Sequence, residues 1–409
     1  MRNKNYLKTW FVAACIIETL CATYFLDFTH YATFFSFIYF IAGMSIGVLI
    51  LFFPQIKRNV TNEQKYNREF FFKILMIAAA AFFLFYESKS IMLENPLDYR
   101  NADMLPVIKI MNERFLHGEW KHVYDTIPGI WSESKPIYLP CMWLPFSPAI
   151  AFNFDLRWIT VTALLIVFII LITKSSFKKN WKYSLLLLTT VLIILWWLIS
   201  ADDQHGFISL TEEGIIVLFY VLLALALIAE NILLISIATC LCMLSRYSGI
   251  GFVPAFFIYL LLSKKKRQAI WFASIGLLFA LVFFIIPFGW TPFVDLIKLP
   301  GNYIHFSKIV WRDTPEIYAG LGFARFFIPE KINALHSLLI ALSFIVPLLV
   351  VGVCYALRKK VSLNNAPLAT LKISLVVFYN FIDVPYLYLF YTSSFVSLVV
   401  ALSYIKREN

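Results

Sequence analysis

The sequence predicts an all-α polytopic membrane protein of about twelve spanning helices, with interfacial helices in two long outer loops. Three observations carry this prediction. Only 14% of the 409 residues are charged, against ~25% in a typical soluble domain, and the mean hydropathy is +0.77. A water-facing surface cannot be built from that stock. The hydrophobic residues, 61% of the chain, also gather in separate blocks near spanning length. Most of the 35 Lys and Arg then fall in short clusters between those blocks.

In order, the apolar blocks lie near residues 8–25, 31–53, 70–88, 156–173, 184–200, 214–229, 231–246, 249–263, 269–287, 334–357, 367–383 and 386–405. Several are shorter than the ~20 residues needed to cross hydrocarbon, so they are expected to pack inside the bundle or to be lengthened by less apolar ends. With the N-terminus inside, segments 1–8, 54–73, 174–182, 264–267, 358–372 and 406–409 hold most of the basic residues. Most of the 24 acidic residues fall on the other side, and Glu18 is intramembrane. The positive-inside rule therefore predicts an inner-membrane, multi-pass protein with both termini cytoplasmic. Residues 1–409 read as a single membrane domain, with outer loops at 89–155 and 288–333.

The net charge of +11 does not indicate nucleic acid, because the basic residues are spread as topology signals rather than as one phosphate-binding face. Of the cysteines, Cys15, Cys21, Cys240, Cys242 and Cys354 sit in apolar blocks and only Cys141 in a long loop, so no disulfide framework is expected. Val12-Ala13-Ala14-Cys15 superficially resembles a lipoprotein cleavage site. The apolar run before it is too short for a signal peptide and continues past it, so the first block reads as an uncleaved helix.

In the first outer loop, apolar residues recur at 104, 107, 108, 111 and 115, with Lys109, Asn112, Glu113 and His117 on the other face. This spacing predicts an amphipathic helix over 103–117, too short to span and suited to the interface. Pro106 fits its first turn and Gly118 its end. Asp103 stands at its start, where two readings coexist: an N-cap, or a general base held at a cavity mouth. Asp98, in Asp98-Tyr99-Arg100, is the second acidic candidate and can simply pair with Arg100. Downstream, Lys135 to Pro148 is rich in Tyr, Trp and Pro and includes Tyr138 and Trp143. It is either an interfacial aromatic belt or a rigid wall that stacks on a sugar.

The order of these features resembles the polytopic glycosyltransferases of the GT-C class, especially glycosyltransferase family 87. The likeness rests on Asp103, Phe115-Leu116-His117-Gly118, Tyr124-Asp125, and Tyr138-Leu139-Pro140 followed by Leu144-Pro145. The family places an acidic residue in the first outer loop and a Gly about 15 positions later; Gly118 has that spacing from Asp103, not from Asp98. Ser245-Arg246-Tyr247-Ser248 and the cluster Lys264–Arg267 match the family's Lys-x-x-Pro before a span ending in basic residues. Here Arg246 replaces the Lys, Gly249 stands where the Pro would be, and Tyr138-Leu139-Pro140 has one Pro where the family often has two.

The resemblance implies transfer of a hexose or pentose, mannose-like, from a polyprenyl-phosphate sugar to an acceptor hydroxyl on the outer face, with inversion. Partners would be that donor, a lipid-linked or glycan acceptor, and membrane lipids. Asp103, with Asp98 second, would be the base. Cations would stabilise the leaving phosphate, with Arg246, His305, Lys308 and Arg312 as candidates. The helix bearing His305, Lys308 and Arg312 reads equally as an interfacial element facing anionic lipid. Tyr99, Arg100, Tyr138, Trp143, Gln204, His205 and Glu212 are expected to line the sugar. No cofactor is required; Asp202, Asp203, His205, Glu212 and Glu213 could ligate a divalent ion, but solvated turn charges explain them as well. The alternative functions are a transporter or lipid-linked glycan flippase, and an O-acyltransferase-like protein. The latter would need a membrane-proximal His in a recognisable setting, and none stands out in the sequence.

Overall fold

In the computed structural model, residues 2–27, 31–53, 68–99, 102–129, 135–175, 181–202, 206–313, 321–327 and 330–407 are described. Every regular element among them is helical, as a chain embedded in lipid requires when no water is present to satisfy open strand edges. The helices that matter below are α1 (Arg2–Thr23), α2 (Ala32–Ile50), α3 (Arg68–Glu94), α4 (Met104–Leu116), α5 (Arg157–Lys174), α6 (Trp181–Ser200), α7 (Glu213–Ala229), α8 (Ile232–Met243), α9 (Phe252–Leu262), α10 (Lys266–Ala280), α11 (Trp290–Asn302), α12 (Ile304–Asp313), α13 (Ile332–Ala356), α14 (Ala366–Phe381) and α15 (Tyr391–Arg407). A π turn at Leu281–Ile285 prolongs α10 to Phe288, and a 3-10 turn at Leu387–Phe390 leads into α15.

Each of the twelve apolar blocks holds a helix, but among the described residues eight helices are long and apolar enough to cross a membrane. α7, α8, α9 and α14 are shorter, with 17, 12, 11 and 16 residues. The chain is thus a membrane-embedded helical bundle whose short helices pack among its long ones.

Burial separates centre from rim. Every residue from Tyr388 to Ile405 is buried, whereas most of α3 is not. α15 packs against α1, α5, α6, α7 and α14. α3, α10 and α13 turn apolar side chains such as Phe71, Phe82, Leu277, Ile286, Ile345 and Leu349 outward, which is the surface that lipid covers.

Two close approaches fix the helix pairs. On α2, Gly43 and Gly47 face Val376 and Ile373 of α14, and a Cβ at either glycine would come within 2.5 Å of those side chains. The small-x-x-x-small spacing lets the helices approach closely where apolar lipid offers no hydrophobic drive to associate. Gly251, just before α9, lies so near the Ser343 carbonyl of α13 that a Cβ has no room.

One ion pair lies wholly inside the bundle. Lys372 of α14 bonds to Glu18 of α1, and its ammonium also donates to the Ser393 hydroxyl at 2.6 Å and to the Ser393 carbonyl at 3.1 Å. Ser397 donates to the other Glu18 oxygen at 2.6 Å. The sequence assigned Lys372 to the inner basic segment 358–372; it sits instead six residues into α14, fully buried. A basic residue at a block edge reads as a topology signal unless its partner is known, and Glu18 is remote in sequence.

Candidate functional site

α4 forms as expected. Leu105, Val107, Ile108 and Met111 are buried, and Gly118 beyond its end has φ +81°, a left-handed conformation natural to glycine. Asn112, expected on the polar face, is instead buried. Its amide donates to the Trp143 carbonyl at 3.0 Å and accepts from Ser147 Oγ at 2.6 Å, tying α4 to the proline-rich segment. Trp143 Nε1 donates to the Tyr124 hydroxyl, which donates to the Tyr138 carbonyl at 3.1 Å. The backbone N–H of Cys141 bonds to the Leu244 carbonyl at 2.8 Å, drawing Tyr138 toward the turn that carries Arg246.

These ties enclose a cavity of about 620 Å³ whose walls include Asp103, Tyr138, Glu212, Arg246, Tyr303, His336, Asp383 and Tyr388. Most of its remaining lining is apolar, including Leu26, Leu299, Leu339, Ile340, Phe344 and Phe378. Phe344 of α13, which also lines the cavity, is among the exposed apolar residues. The composition suits a ligand with a polar head and an apolar tail.

Asp103 occupies the N-cap position of α4, but its side chain makes no capping bond. Its Oδ2 is buried without a hydrogen-bond partner. Burial pushes its pKa up to about 6, with Glu212 adding to the rise and nearby backbone amides opposing it. A carboxylate held in this way takes and releases a proton near neutrality.

Opposite charges meet at Arg246. It donates to Glu213 Oε2 at 2.5 Å and to Glu212 Oε1 at 3.0 Å, while Thr392 Oγ1 donates to Glu213 Oε1 at 2.7 Å. Glu212 Oε2 is left without a partner, and burial raises the Glu212 pKa against the pull of Arg246. The cluster carries two carboxylates for one guanidinium. That corrects the view of Arg246 as a cation standing ready for a phosphate.

The remaining candidates divide. Trp143 is fully buried in the Phe115, Tyr124 and Phe288 packing and does not line the cavity. Asp98 and Tyr99 lie outside the cavity lining, and Tyr99 is half exposed. His305, Lys308 and Arg312 are exposed on α12, on the face away from cavity-lining Tyr303 and Phe306, and Arg312 pairs with Asp313 at 2.6 Å. They form the exposed half of an amphipathic helix, not part of the cavity. Asp202, considered as an ion ligand, accepts backbone N–H bonds from Ile208 and Ser209 instead. Arg100, Asp203, Gln204 and His205 lie outside the described residues.

The sequence did not single out His336, Asp383 or Ser307. Asp383 Oδ2 accepts from Ser307 Oγ at 2.6 Å and pairs with His336 Nδ1 at 2.8 Å, and its carbonyl accepts from Trp311 Nε1 at 2.6 Å. The three residues come from α12, α13 and the segment after α14, so no local pattern announces them. The available signal was a polar residue near the edge of an apolar block at His336 and at Asp383; Ser307, in the outer loop, offered none.

The fold and site thus define a membrane-embedded helical protein with one end of its bundle hollowed into a mixed polar and apolar cavity. Comparison with protein-family models, curated proteins and solved structures finds no match. The function is therefore argued from the cavity.

Proposed function

We propose that the chain is a membrane glycosyltransferase that moves a hexose or pentose from a polyprenyl-phosphate sugar to an acceptor hydroxyl on the outer face, with inversion and Asp103 as general base. The observation that carries this reading is Asp103, half-buried on the wall of a largely apolar cavity with its Oδ2 buried and without a partner. An attacking hydroxyl must lose its proton as the bond to the anomeric carbon forms, and a carboxylate with a pKa of about 6 accepts it at neutral pH. The apolar lining and the exposed Phe344 suit entry of a lipid-borne substrate from the side.

The leaving phosphate needs cations. Arg246 is the only Lys or Arg among the described cavity-lining residues and is shared between two carboxylates. On this reading the sugar and acceptor hydroxyls lie in the cavity.

A transporter or lipid-linked glycan flippase is the second reading. It draws on the buried Glu18–Lys372 pair, since transporters place charges within their helices. Neither residue of that pair lines the cavity described above, which favours the first reading. The deciding experiment supplies a polyprenyl-phosphate sugar to the reconstituted protein and compares Asp103→Asn with the unaltered chain. Unchanged sugar transfer by a correctly inserted variant removes Asp103 as base. Solute uptake without any transfer favours the transporter.

A further inference from the structure

Across the cavity lining from Asp103, His336 presents an atom with nothing to bond. Its side chain is only 9% exposed, Nδ1 is 2.8 Å from the Asp383 carboxylate, and Nε2 is buried without a partner. Asp383 is itself held from two further directions: Ser307 donates to the same oxygen, and Trp311 donates to the backbone carbonyl. The imidazole is therefore oriented through Nδ1, while Nε2 has no partner, on a residue that lines the cavity. A buried polar atom without a partner costs about 1–3 kcal/mol, a cost that a ligand removes when it supplies the missing bond.

The chemistry of that bond follows from the neighbours. In the neutral ring, a carboxylate at Nδ1 keeps the ring proton there, which leaves a lone pair on Nε2. The cavity walls hold Asp103, Glu212 and Asp383 against Arg246, already shared between two carboxylates. An anion would enter against that balance, whereas a neutral hydroxyl group would not. We infer that the Ser307–Asp383–His336 chain is a binding station for a neutral, hydroxyl-rich head group, in which His336 Nε2 accepts a hydrogen bond from a ligand hydroxyl. It rests on the cavity being the substrate site, as in the proposed function, and adds a specificity-determining contact separate from the base. Asp103 and His336 then accept from different hydroxyls of one polyol, and a ligand with a single hydroxyl satisfies only one of them.

The test uses binding rather than transfer. The full chain in lipid nanodiscs is titrated calorimetrically with hexyl β-mannoside and with hexyl phosphate, against empty-nanodisc blanks. The expected result is tighter binding of the mannoside, weakened about tenfold in His336→Phe and by less in His336→Gln, whose amide oxygen still accepts. Hexyl phosphate binding should not change. The inference is overturned if the unaltered chain does not bind the mannoside, if both variants bind it unchanged, or if phosphate binding is what the variants lose. The last outcome would make the ring an anion donor. If His336→Phe does not fold, as judged by thermal unfolding, His336→Gln carries the same decision. In Asp103→Asn, lost transfer with an intact His336-dependent mannoside preference separates a failure of the base from a failure of this station.

Discussion

Two groups of buried charge in this bundle have similar ingredients and opposite completeness. Glu18 and Lys372, between α1 and α14, are fully buried, and Ser393 and Ser397 take up the bonding capacity that the ion pair leaves over. In the cavity, Asp103 Oδ2, Glu212 Oε2 and His336 Nε2 are all buried and all unpartnered. Charge within a membrane is commonly taken as a mark of function. The contrast refines that rule: a closed network ties helices together, while an incomplete one beside a cavity keeps its chemistry for a ligand.

The comparison breaks first at Asp103. Replacing it by Asn should lower sugar transfer by about 10²–10⁴-fold, measured as single-turnover transfer in proteoliposomes. The same change should raise the melting temperature at neutral pH. With the folded pKa raised to about 6 from 3.8, the folded state binds the proton more tightly than the unfolded one. Ionised Asp103 therefore costs stability above about pH 6, and that cost disappears with the charge.

Next in size is the closed pair. Lys372→Met alone strands Glu18 and should cost about 3–5 kcal/mol, visible as loss of folded protein in detergent unfolding. The double variant Glu18→Leu with Lys372→Met should recover most of it. If the double is as poor as the single, the pair does more than hold helices.

The acidic limb of the reaction is smaller. If Asp103 is the base, transfer should fall about tenfold per pH unit below about 6 and level off above it. A rate that is flat from pH 5 to pH 8 would require another base. The smallest effect belongs to the outer face of α12: Lys308→Ala should change stability by no more than about 0.5 kcal/mol, read by thermal unfolding, because its side chain is exposed and outside the cavity lining.

How legible the molecule was in its sequence depended on distance along the chain. Helices, their apolar faces and the Gly118 stop come from periodicity within a few turns, and those features read directly. The number of spans did not, because α7, α8, α9 and α14 are helical and apolar yet short, and length alone does not say what a packed helix crosses. Lys372 looked like part of a basic cluster because Glu18 lies 354 residues away. Asn112 looked polar and exposed because its partners, Trp143 and Ser147, belong to another segment. Asp103 was visible by its position at a helix start, but its unpartnered oxygen was not. His336 and Asp383 are 47 residues apart and join only when α13 and α14 pack. A site assembled from several helices leaves single polar letters in the sequence, each of which has an ordinary explanation.

The long reach of the Glu18–Lys372 pair also bears on how the protein is made. Glu18 enters the membrane with the first helix, while its partner is synthesised 354 residues later. At 5–20 residues per second that is an interval of about 20–70 s. During it a carboxyl group sits among helices without its ammonium, and Gly43 and Gly47 wait for α14 as well. α15, buried from Tyr391 to Ile405 in the finished bundle, arrives later still. The contacts that α1 and α2 make with α14 therefore form only once α14 has been synthesised.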